Sequence, residues 1–171
     1  MVRSKQAGDG PDTIELRTRA ATIPDASAIA AIYNEGIADR IATFETEPRS
    51  AVDIAGWFTG QPLVLVVETG ETGLVAFAAS FPYSSRPCYR GIGEFSVYVR
   101  RNHRGRGAGR AALAALVEAA TARGMHKLTS RVFPENAASR ALLKGLGFEE
   151  IGIHRRHGQL DGRCDRRPIA R

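Results

Sequence analysis

Short segments in which apolar residues alternate with polar ones, or follow one another without a break, predict the strands of this chain. Residues 14–18 alternate, residues 63–68 and 74–81 are almost continuously apolar, and residues 93–99 alternate again after a loop. Only the residues TGETG separate the second segment from the third, which is the spacing and composition of a β-hairpin. The first part of the chain therefore predicts four strands, two of which form a hairpin.

Apolar residues with helical spacing predict two helices between the first strand and the hairpin. One begins after Thr22, Pro24 and Asp25, which are residue types that start helices. Its apolar face consists of Ile29, Ile32, Tyr33 and Gly36. Ser50 and Asp53 have the spacing of a capping box, so a short second helix is expected to follow Ser50.

Two more helices are predicted in the second half of the chain, on either side of a strand at residues 127–132. The apolar face of the third helix comprises Leu113, Leu116, Val117 and Ala120. Gly124 is placed to end that helix. Asn136 is expected to cap the fourth helix, which Gly147 ends before a last strand at residues 148–153.

The predicted order of elements is β-α-α-β-β-β-α-β-α-β. A meander of strands precedes a strand, helix and strand crossover, so this order predicts an α/β fold whose central sheet is mixed rather than doubly wound. Ligands of such folds bind at the carboxyl ends of parallel strands. We therefore expect the functional site at the end of the strand over residues 93–99.

Length and composition favour one domain. The 171 residues are 43% hydrophobic and 25% charged, and we expect a single domain over residues 14–171 behind a flexible leader at residues 1–13. Two cysteines are too few for a secreted disulfide framework, and no apolar run approaches the ~20 residues that span a membrane. A cytoplasmic location with no membrane partner is therefore expected.

Positive charge is concentrated at one glycine-rich turn. The net charge of +6 predicts an anionic partner. The arginines around Gly105, Gly107 and Gly109 are Arg100, Arg101, Arg104, Arg106 and Arg110. Glycines let backbone N–H groups converge, and the first turn of the following helix adds unpaired donors, so this turn is suited to phosphate. Concentrated charge favours a phosphorylated cofactor over a nucleic-acid face, which would spread over several elements.

Other interpretations of the turn fit its residues less well. A Walker loop needs Gly-Lys followed by Ser or Thr, whereas the chain has Gly109, Arg110 and Ala111. GAGRAA matches a dinucleotide-binding pattern, yet the acidic residue expected ~20 residues later is missing. An RNA-binding arginine-glycine segment is more often repeated and disordered. A basic, solvated turn without a ligand stays open as an alternative.

The segment RGRGAG at residues 104–109 resembles the Arg/Gln-x-x-Gly-x-Gly/Ala motif of the GCN5-related N-acetyltransferase (GNAT) superfamily. The order of elements over residues 14–163 resembles that superfamily too, as do TIPDASAIAAIYN, SVYV and ENAASRALLKGLGF. The resemblance implies the GNAT fold, and acetyl-coenzyme A as cosubstrate without a metal. It implies that the coenzyme-binding residues are Val97, Tyr98, Val99, Arg104, Gly105, Arg106, Gly107, Ala108, Gly109, Arg110 and Asn136.

A narrower resemblance is to phosphinothricin N-acetyltransferases, including relatives that acetylate the arsenical antibiotic arsinothricin. It is carried by residues 42–48, 82–99 and 136–148. It implies a resistance enzyme that acetylates the α-amino group of a small amino acid analogue such as arsinothricin or phosphinothricin. Relatives end in an aliphatic strand, whereas Ile169 is the one large aliphatic residue of the tail. We therefore expect a short last strand, or cover from a partner subunit in a homodimer.

Glu94 is the candidate catalytic base. An α-ammonium has no lone pair, so a base must remove its proton before acetyl transfer. Alternation puts Glu94 on the opposite face from Phe95, Val97 and Val99, and the resemblance gives the glutamate of this strand that role. A polar residue on a half-exposed strand is the alternative. Leu143 stands where the family often has His or Tyr, so the acid that reprotonates the thiolate is water or is absent.

Arg86 is the candidate anchor for an oxyanion of the acceptor. The resemblance implies a substrate-contacting arginine there, and a guanidinium binds oxyanions bidentately. Ser84 occupies a position that is basic in relatives, so one anchor is expected to be lost. Secondary candidates, each equally well explained as a loop or core residue, are Phe44, Tyr83, Tyr89 and Arg90. His154 and His157 are close in sequence, but no Cys or acidic pair completes a metal-ligand set.

Two other functions stay open. A related enzyme would acetylate another amine, such as methionine sulfone, methionine sulfoximine or a protein N-terminus. A non-catalytic basic module would bind DNA or RNA in a salt-sensitive manner without affinity for the coenzyme. Glu94 beside the glycine-rich turn favours the enzyme, and we expect no nucleic-acid partner.

Overall fold

The computed structural model describes residues 15–60, 62–70, 72–160 and 163–170. Its helices are α1 (Ala26–Ala38), α2 (Ala51–Trp57), α3 (Ala108–Ala122) and α4 (Ala137–Gly145). Its strands are β1 (Arg17–Ala20), β2 (Leu63–Thr69), β3 (Gly73–Pro82), β4 (Ile92–Val99), β5 (Lys127–Arg131), β6 (Glu150–Leu160) and β7 (Arg163–Ala170). The predicted leader at residues 1–13 lies outside the described residues, and the single domain over residues 14–171 stays a prediction.

One sheet contains these strands in the order β1-β2-β3-β4-β5-β7-β6. Neighbouring strands are antiparallel except β4 and β5, which run parallel. The predicted α/β fold with a mixed central sheet is therefore confirmed, and the predicted hairpin is β2 with β3. The parallel pairing of β4 with β5 runs from Ile92 to Glu94, whereas β4 pairs with β3 as far as Val99. A cleft consequently opens between β4 and β5 beyond Glu94.

The structure adds one strand to the predicted order. The last predicted strand, at residues 148–153, is observed as β6 and extends to Leu160, so it is longer than expected. β7 then lies between β5 and β6 and pairs Ile169 with Arg131. The expectation of a short last strand in this tail is wrong, because β7 has eight residues. The sequence of β7, RCDRRPIA, has no apolar alternation. Its pairing depends on backbone hydrogen bonds, which a hydropathy pattern does not reveal.

The sheet separates two apolar cores, with α3 and α4 on one face and α1 and α2 on the other. Alternate residues of β4 enter different cores. Phe95, Val97 and Val99 pack on the α3 side, and Tyr98 packs on the α1 side. Because side chains alternate along a strand, Glu94 shares the face of Tyr98. The predicted orientation of Glu94, opposite to Phe95, is therefore observed.

The helix ends match the predicted signals. Ser50 Oγ accepts a hydrogen bond from the Asp53 N–H at 3.2 Å, and the Asp53 carboxylate accepts one from the Ser50 N–H at 2.7 Å, which completes the capping box of α2. Asn136 Oδ1 accepts from the Ser139 N–H at 3.0 Å and caps α4. Gly147 follows α4 with a φ of +84°, a left-handed conformation that ends a helix.

Asp25 ties β1 to the start of α1. Its carboxylate accepts hydrogen bonds from the Thr22 N–H at 2.8 Å and from both terminal nitrogens of Arg19, at 2.7 and 2.8 Å. The hydrogen bonds from Arg19 lower the pKa of Asp25 from 3.8 to about 2. The contact therefore needs an ionised carboxylate.

We predict that Asp25→Asn lowers the free energy of unfolding by about 1 kcal/mol at pH 7, as the loss of a helix cap does. The folded-state pKa lies below the unfolded value of 3.8, so the carboxylate stabilises the fold above about pH 4, and this contribution is lost as pH falls toward about 2. Urea unfolding of both proteins between pH 7 and pH 2 measures the difference. A difference that stays constant with pH would contradict the assignment.

Candidate active site

The turn between β4 and α3 has the geometry of an anion site. Gly105 and Gly107 have φ values of +74° and +86°, a left-handed backbone that glycine adopts without a Cβ clash. Gly107 is the N-cap of α3, and its carbonyl accepts from the Ala111 N–H at 3.0 Å. The N–H groups of residues 108–110 precede that bond and face the end of the helix. With the positive end of the helix dipole, they are suited to pyrophosphate oxygens.

A cavity of about 380 Å³ extends from this turn along β4. Nine of the eleven residues predicted to bind the coenzyme line it, and they are Val97, Tyr98, Val99, Arg104, Gly105, Gly107, Gly109, Arg110 and Asn136. The side chains of the other two do not line it, because that of Arg106 is exposed and that of Ala108 is buried in the α3 core. Lining residues that the sequence did not predict are Gly36, Ile41, Ala42, Ala138, Ser139 and Leu142.

Gly36 carries a sequence signal for its place in the cavity wall. Glycine within a helix costs roughly 0.5–1 kcal/mol relative to alanine, so a glycine on an apolar helix face indicates a close approach. A Cβ at Gly36 would lie 2.6 Å from two ring carbons of Tyr98. Burial raises the pKa of the Tyr98 hydroxyl well above its usual value, so Tyr98 is a neutral part of the wall.

Two carboxylates near the C-terminal end of α1 hold the arginine-rich turn. Asp39 lies 2.6 Å from a terminal nitrogen of Arg101 and 2.6 Å from one of Arg104, and Glu35 accepts from the Arg101 N–H at 2.5 Å. Hydrogen bonding by Arg101 holds the pKa of Asp39 below its usual value. Arg104 also donates from Nε to the Val99 carbonyl at 3.2 Å. Asp39 and the Val99 carbonyl thus orient Arg104, a cation in the cavity wall.

A narrower cavity of about 50 Å³ lies between β4 and β5. It shares Val97 and Asn136 with the larger cavity and reaches Arg131. From Val99 back to Glu94, β4 covers about 17 Å at ~3.3 Å per residue. The two cavities therefore form one elongated path from the glycine-rich turn toward the point where β4 and β5 separate.

Glu94 lies at that point and is paired with Arg131 of β5. Arg131 Nε donates to Glu94 Oε1 at 2.7 Å, and Arg131 Nη2 contacts both carboxylate oxygens. The two side chains are 31% and 37% exposed, so water reaches the pair. The sequence predicted Glu94 but not Arg131, because this pair depends on the register in which β4 and β5 meet.

The loop between β3 and β4 brings three predicted acceptor-binding residues together. The rings of Tyr83 and Tyr89 meet edge to face with centroids 5.5 Å apart, and the Arg86 guanidinium lies 5.6 Å from the Tyr89 centroid. The Tyr83 N–H donates to the Ile92 carbonyl at 3.0 Å, which fixes the loop to the end of β4 that carries Glu94.

The other predicted residues have separate positions. Phe44 packs edge to face against Phe133 with centroids 5.0 Å apart. Arg90 is exposed on the loop that contains Arg86. Asn136, besides capping α4, donates from Nδ2 to the Ile41 carbonyl at 3.1 Å. Its amide therefore joins α4 to the loop after α1 at the cavity wall.

The described residues include no candidate membrane span and no candidate metal site. None of their helices is both long and apolar enough to cross a membrane. Their His, Cys, Asp and Glu side chains form no group of three that could hold a metal ion. The side chain of His157, half of the predicted histidine pair, lies outside the described part of the chain.

Comparison with known proteins agrees with this geometry. Residues 29–148 match the model of the Acetyltransferase (GNAT) family. An L-methionine sulfoximine/L-methionine sulfone acetyltransferase of Pseudomonas aeruginosa is 34% identical over 150 residues, which are 85% of this chain and 87% of that protein.

Solved structures show the same architecture. Ribosomal-protein-alanine N-acetyltransferase from Brucella melitensis superposes with a TM-score of 0.85 at 34% identity, over 90% of this chain and 97% of that one. A phosphinothricin acetyltransferase from Sinorhizobium meliloti in complex with acetyl-coenzyme A superposes with a TM-score of 0.83 at 28% identity, over 93% and 87% of the two chains. This chain therefore belongs to the acetyltransferase (GNAT) family and is an N-acetyltransferase that uses acetyl-coenzyme A.

Proposed function

We propose that this enzyme acetylates the α-amino group of a small amino acid analogue, with phosphinothricin and arsinothricin as candidate acceptors, and that it is a resistance enzyme. The observation that carries the proposal is the position of Glu94, which is paired with Arg131 at the far end of a cleft that starts at the candidate anion-binding turn. Two similar proteins named for phosphinothricin and for L-methionine sulfoximine and sulfone support this class of acceptor.

The proposed coenzyme contacts follow the cleft. The N–H groups of residues 108–110, with Arg104 and Arg110, bind the pyrophosphate. Arg110 is held near the turn by donating to the Gly145 carbonyl at 3.0 Å. Val97 and Val99 offer backbone groups to the pantetheine amides, which would extend along β4 as an added strand does.

Glu94 is the proposed base. It takes a proton from the acceptor's α-ammonium, directly or through one water, and so exposes the nitrogen lone pair. The nitrogen then bonds to the thioester carbonyl carbon while the carbon–sulfur bond breaks, and the nitrogen gives a second proton to water. The sulfur leaves as a thiolate and takes a proton, so each turnover releases one net proton, the one that Glu94 passes to solvent. Leu143 is buried in the α3 core, where a His or Tyr would have been the candidate acid, so we assign that proton to water.

Arg86 is the proposed anchor for the oxyanion on the acceptor's side chain. Its backbone N–H donates to Ser84 Oγ at 3.2 Å, and its guanidinium lies beside Tyr89. Tyr83 and Tyr89 would form the wall of this part of the acceptor site. Phe44 and Arg90 stay secondary candidates, and the homodimer and the cytoplasmic location stay predictions.

A protein N-terminus is the second candidate acceptor, because a structure named for ribosomal-protein-alanine acetylation is similar over 90% of the chain. A thiol-release assay with acetyl-coenzyme A separates the candidates. The panel contains phosphinothricin, arsinothricin, methionine sulfone, methionine sulfoximine and a peptide that begins with alanine. We expect turnover of the amino acid analogues and not of the peptide. The opposite result would overturn the proposed acceptor class.

We predict that Gly107→Val weakens acetyl-coenzyme A binding at least tenfold, about 1.4 kcal/mol. A β-branched residue disfavours the φ of +86°, so the N–H groups of the turn lose their common direction. Calorimetry measures the affinity. Gly56→Ala is the matched control, since Gly56 lies in α2 with open space around its Cβ position, and its binding should be unchanged. A folded Gly107→Val protein with normal affinity would remove the turn from the site.

We predict that Glu94→Gln keeps the affinity for the coenzyme and lowers turnover by roughly 10² to 10⁴-fold, because the amide cannot accept the proton. Steady-state rates at saturating acceptor across pH 6 to 9 measure the effect. Glu15→Gln is the control, since Glu15 is also paired with an arginine, Arg17, but does not line the cleft. Turnover of Glu94→Gln within a factor of two of the parent would make Glu94 structural.

We predict that Arg86→Ala raises the Michaelis constant of phosphinothricin and leaves that of acetyl-coenzyme A near its original value. Lysine at this position should restore only part of the lost affinity for phosphinothricin, because its ammonium lacks the planar fork of a guanidinium. The constant of methionine sulfone, whose side chain carries no net charge, should change less. Equal changes for the coenzyme and the acceptor would indicate general damage rather than a lost anchor.

A further inference from the structure

Arg131 places a second cation at the acceptor end of the cleft. It lies in β5 two residues beyond Thr129, which is paired with Glu94. Because side chains alternate along a strand, Thr129 and Arg131 share the face on which Glu94 lies. Arg131 also lines the cavity between β4 and β5. It is therefore next to the proposed base and within the site, on the strand β5, whereas Arg86 belongs to the loop that precedes β4.

The ion pair between Glu94 and Arg131 occupies the oxygens that Glu94 needs as a base. Arg131 contacts both oxygens of the Glu94 carboxylate, whereas a base needs at least one oxygen for the ammonium of the acceptor or for a water. The carboxylate of an α-amino acid is bonded to the same carbon as its ammonium, so it arrives close to Glu94. Two carboxylates at such a distance repel each other unless a cation lies between them.

We propose that Arg131 binds the α-carboxylate of the acceptor and releases Glu94 as it does so. This inference rests on the proposed function, in which the acceptor is an α-amino acid. A guanidinium presents a planar fork that matches one carboxylate bidentately, so the acceptor's carboxylate replaces that of Glu94 on the same nitrogens. The pair between Arg131 and the acceptor's carboxylate thus replaces the pair between Arg131 and Glu94. Glu94 is free to act as the base only when the acceptor is present.

The exchange predicts selection against amines that lack a carboxylate. Such an amine must break the pair between Glu94 and Arg131 without a replacement, whereas an α-amino acid supplies one. A purely structural Arg131, which only orients Glu94, would favour neither kind of amine. The two roles therefore differ in how the loss of Arg131 affects the two kinds of acceptor.

The test compares methionine sulfone with its α-carboxamide, which keeps the amine and the side chain and removes the negative charge. For Arg131→Gln, we expect kcat/KM for methionine sulfone to fall at least tenfold, about 1.4 kcal/mol. We expect kcat/KM for the carboxamide to stay within twofold or to rise. Arg131→Lys should lose part of the preference for methionine sulfone over its carboxamide. This variant provides the test if Arg131→Gln does not fold.

Arg17→Gln is the control. Arg17 also pairs with a carboxylate, Glu15, at 3.1 Å, but it lies on β1 and does not line the cleft, so both rates should be unchanged. An equal fall for acid and carboxamide in the Arg131 variants would assign Arg131 to positioning alone and overturn the proposal, as would an unchanged ratio. If the parent enzyme acetylates the alanine peptide and no amino acid, the proposed function itself fails and this inference falls with it.

Discussion

The site depends on one feature of the sheet, which is that the pairing of β4 with β5 stops at Glu94 and Thr129. β4 remains fixed along its other edge, because its pairing with β3 continues to Val99. Backbone N–H and C=O groups on an edge that faces a cleft need partners, and an extended ligand with amides can supply them. The same separation gives the cleft its closed end and leaves Glu94 there. An uninterrupted sheet would have neither the proposed coenzyme path nor a place for the proposed base.

Packing on both faces of the sheet determines which side chains face the cleft. The face of Glu94 is set by its neighbours, since Phe95 belongs to the α3 core and Tyr98 to the α1 core. A shift of one residue in β4 would move both aromatic rings to the wrong core, so the orientation of Glu94 is strongly specified. At the other end of the path, Asp39 of the segment after α1 orients Arg104. The conformation of the arginine-rich turn therefore depends on a residue that follows α1 as well as on the turn's own sequence.

Local patterns predicted most of the fold, because strand alternation, helix faces, caps and left-handed glycines act over a few residues. The mixed sheet and the capping box at Ser50 follow from such patterns. Most of the lining of the cavity along β4 was instead predicted from the resemblance to the GNAT superfamily. Contacts that depend on the register between strands do not follow from local patterns. The pair of Glu94 with Arg131 and that of Asp39 with Arg104 join residues that are distant in the chain. The length of β7 was underestimated for a related reason, since this strand is defined by its neighbours β5 and β6 rather than by an apolar period.

The exposure of the ion pair at the end of the cleft decides whether it can exchange partners. A fully buried pair would hold its members, because removing one partner from such a pair costs about 3–5 kcal/mol. An exposed pair contributes about 0–1 kcal/mol, since water solvates each charge when they separate. Glu94 and Arg131 lie between these limits, with 31% and 37% of their side chains exposed. A carboxylate that enters with the proposed acceptor can therefore compete for the guanidinium at small cost.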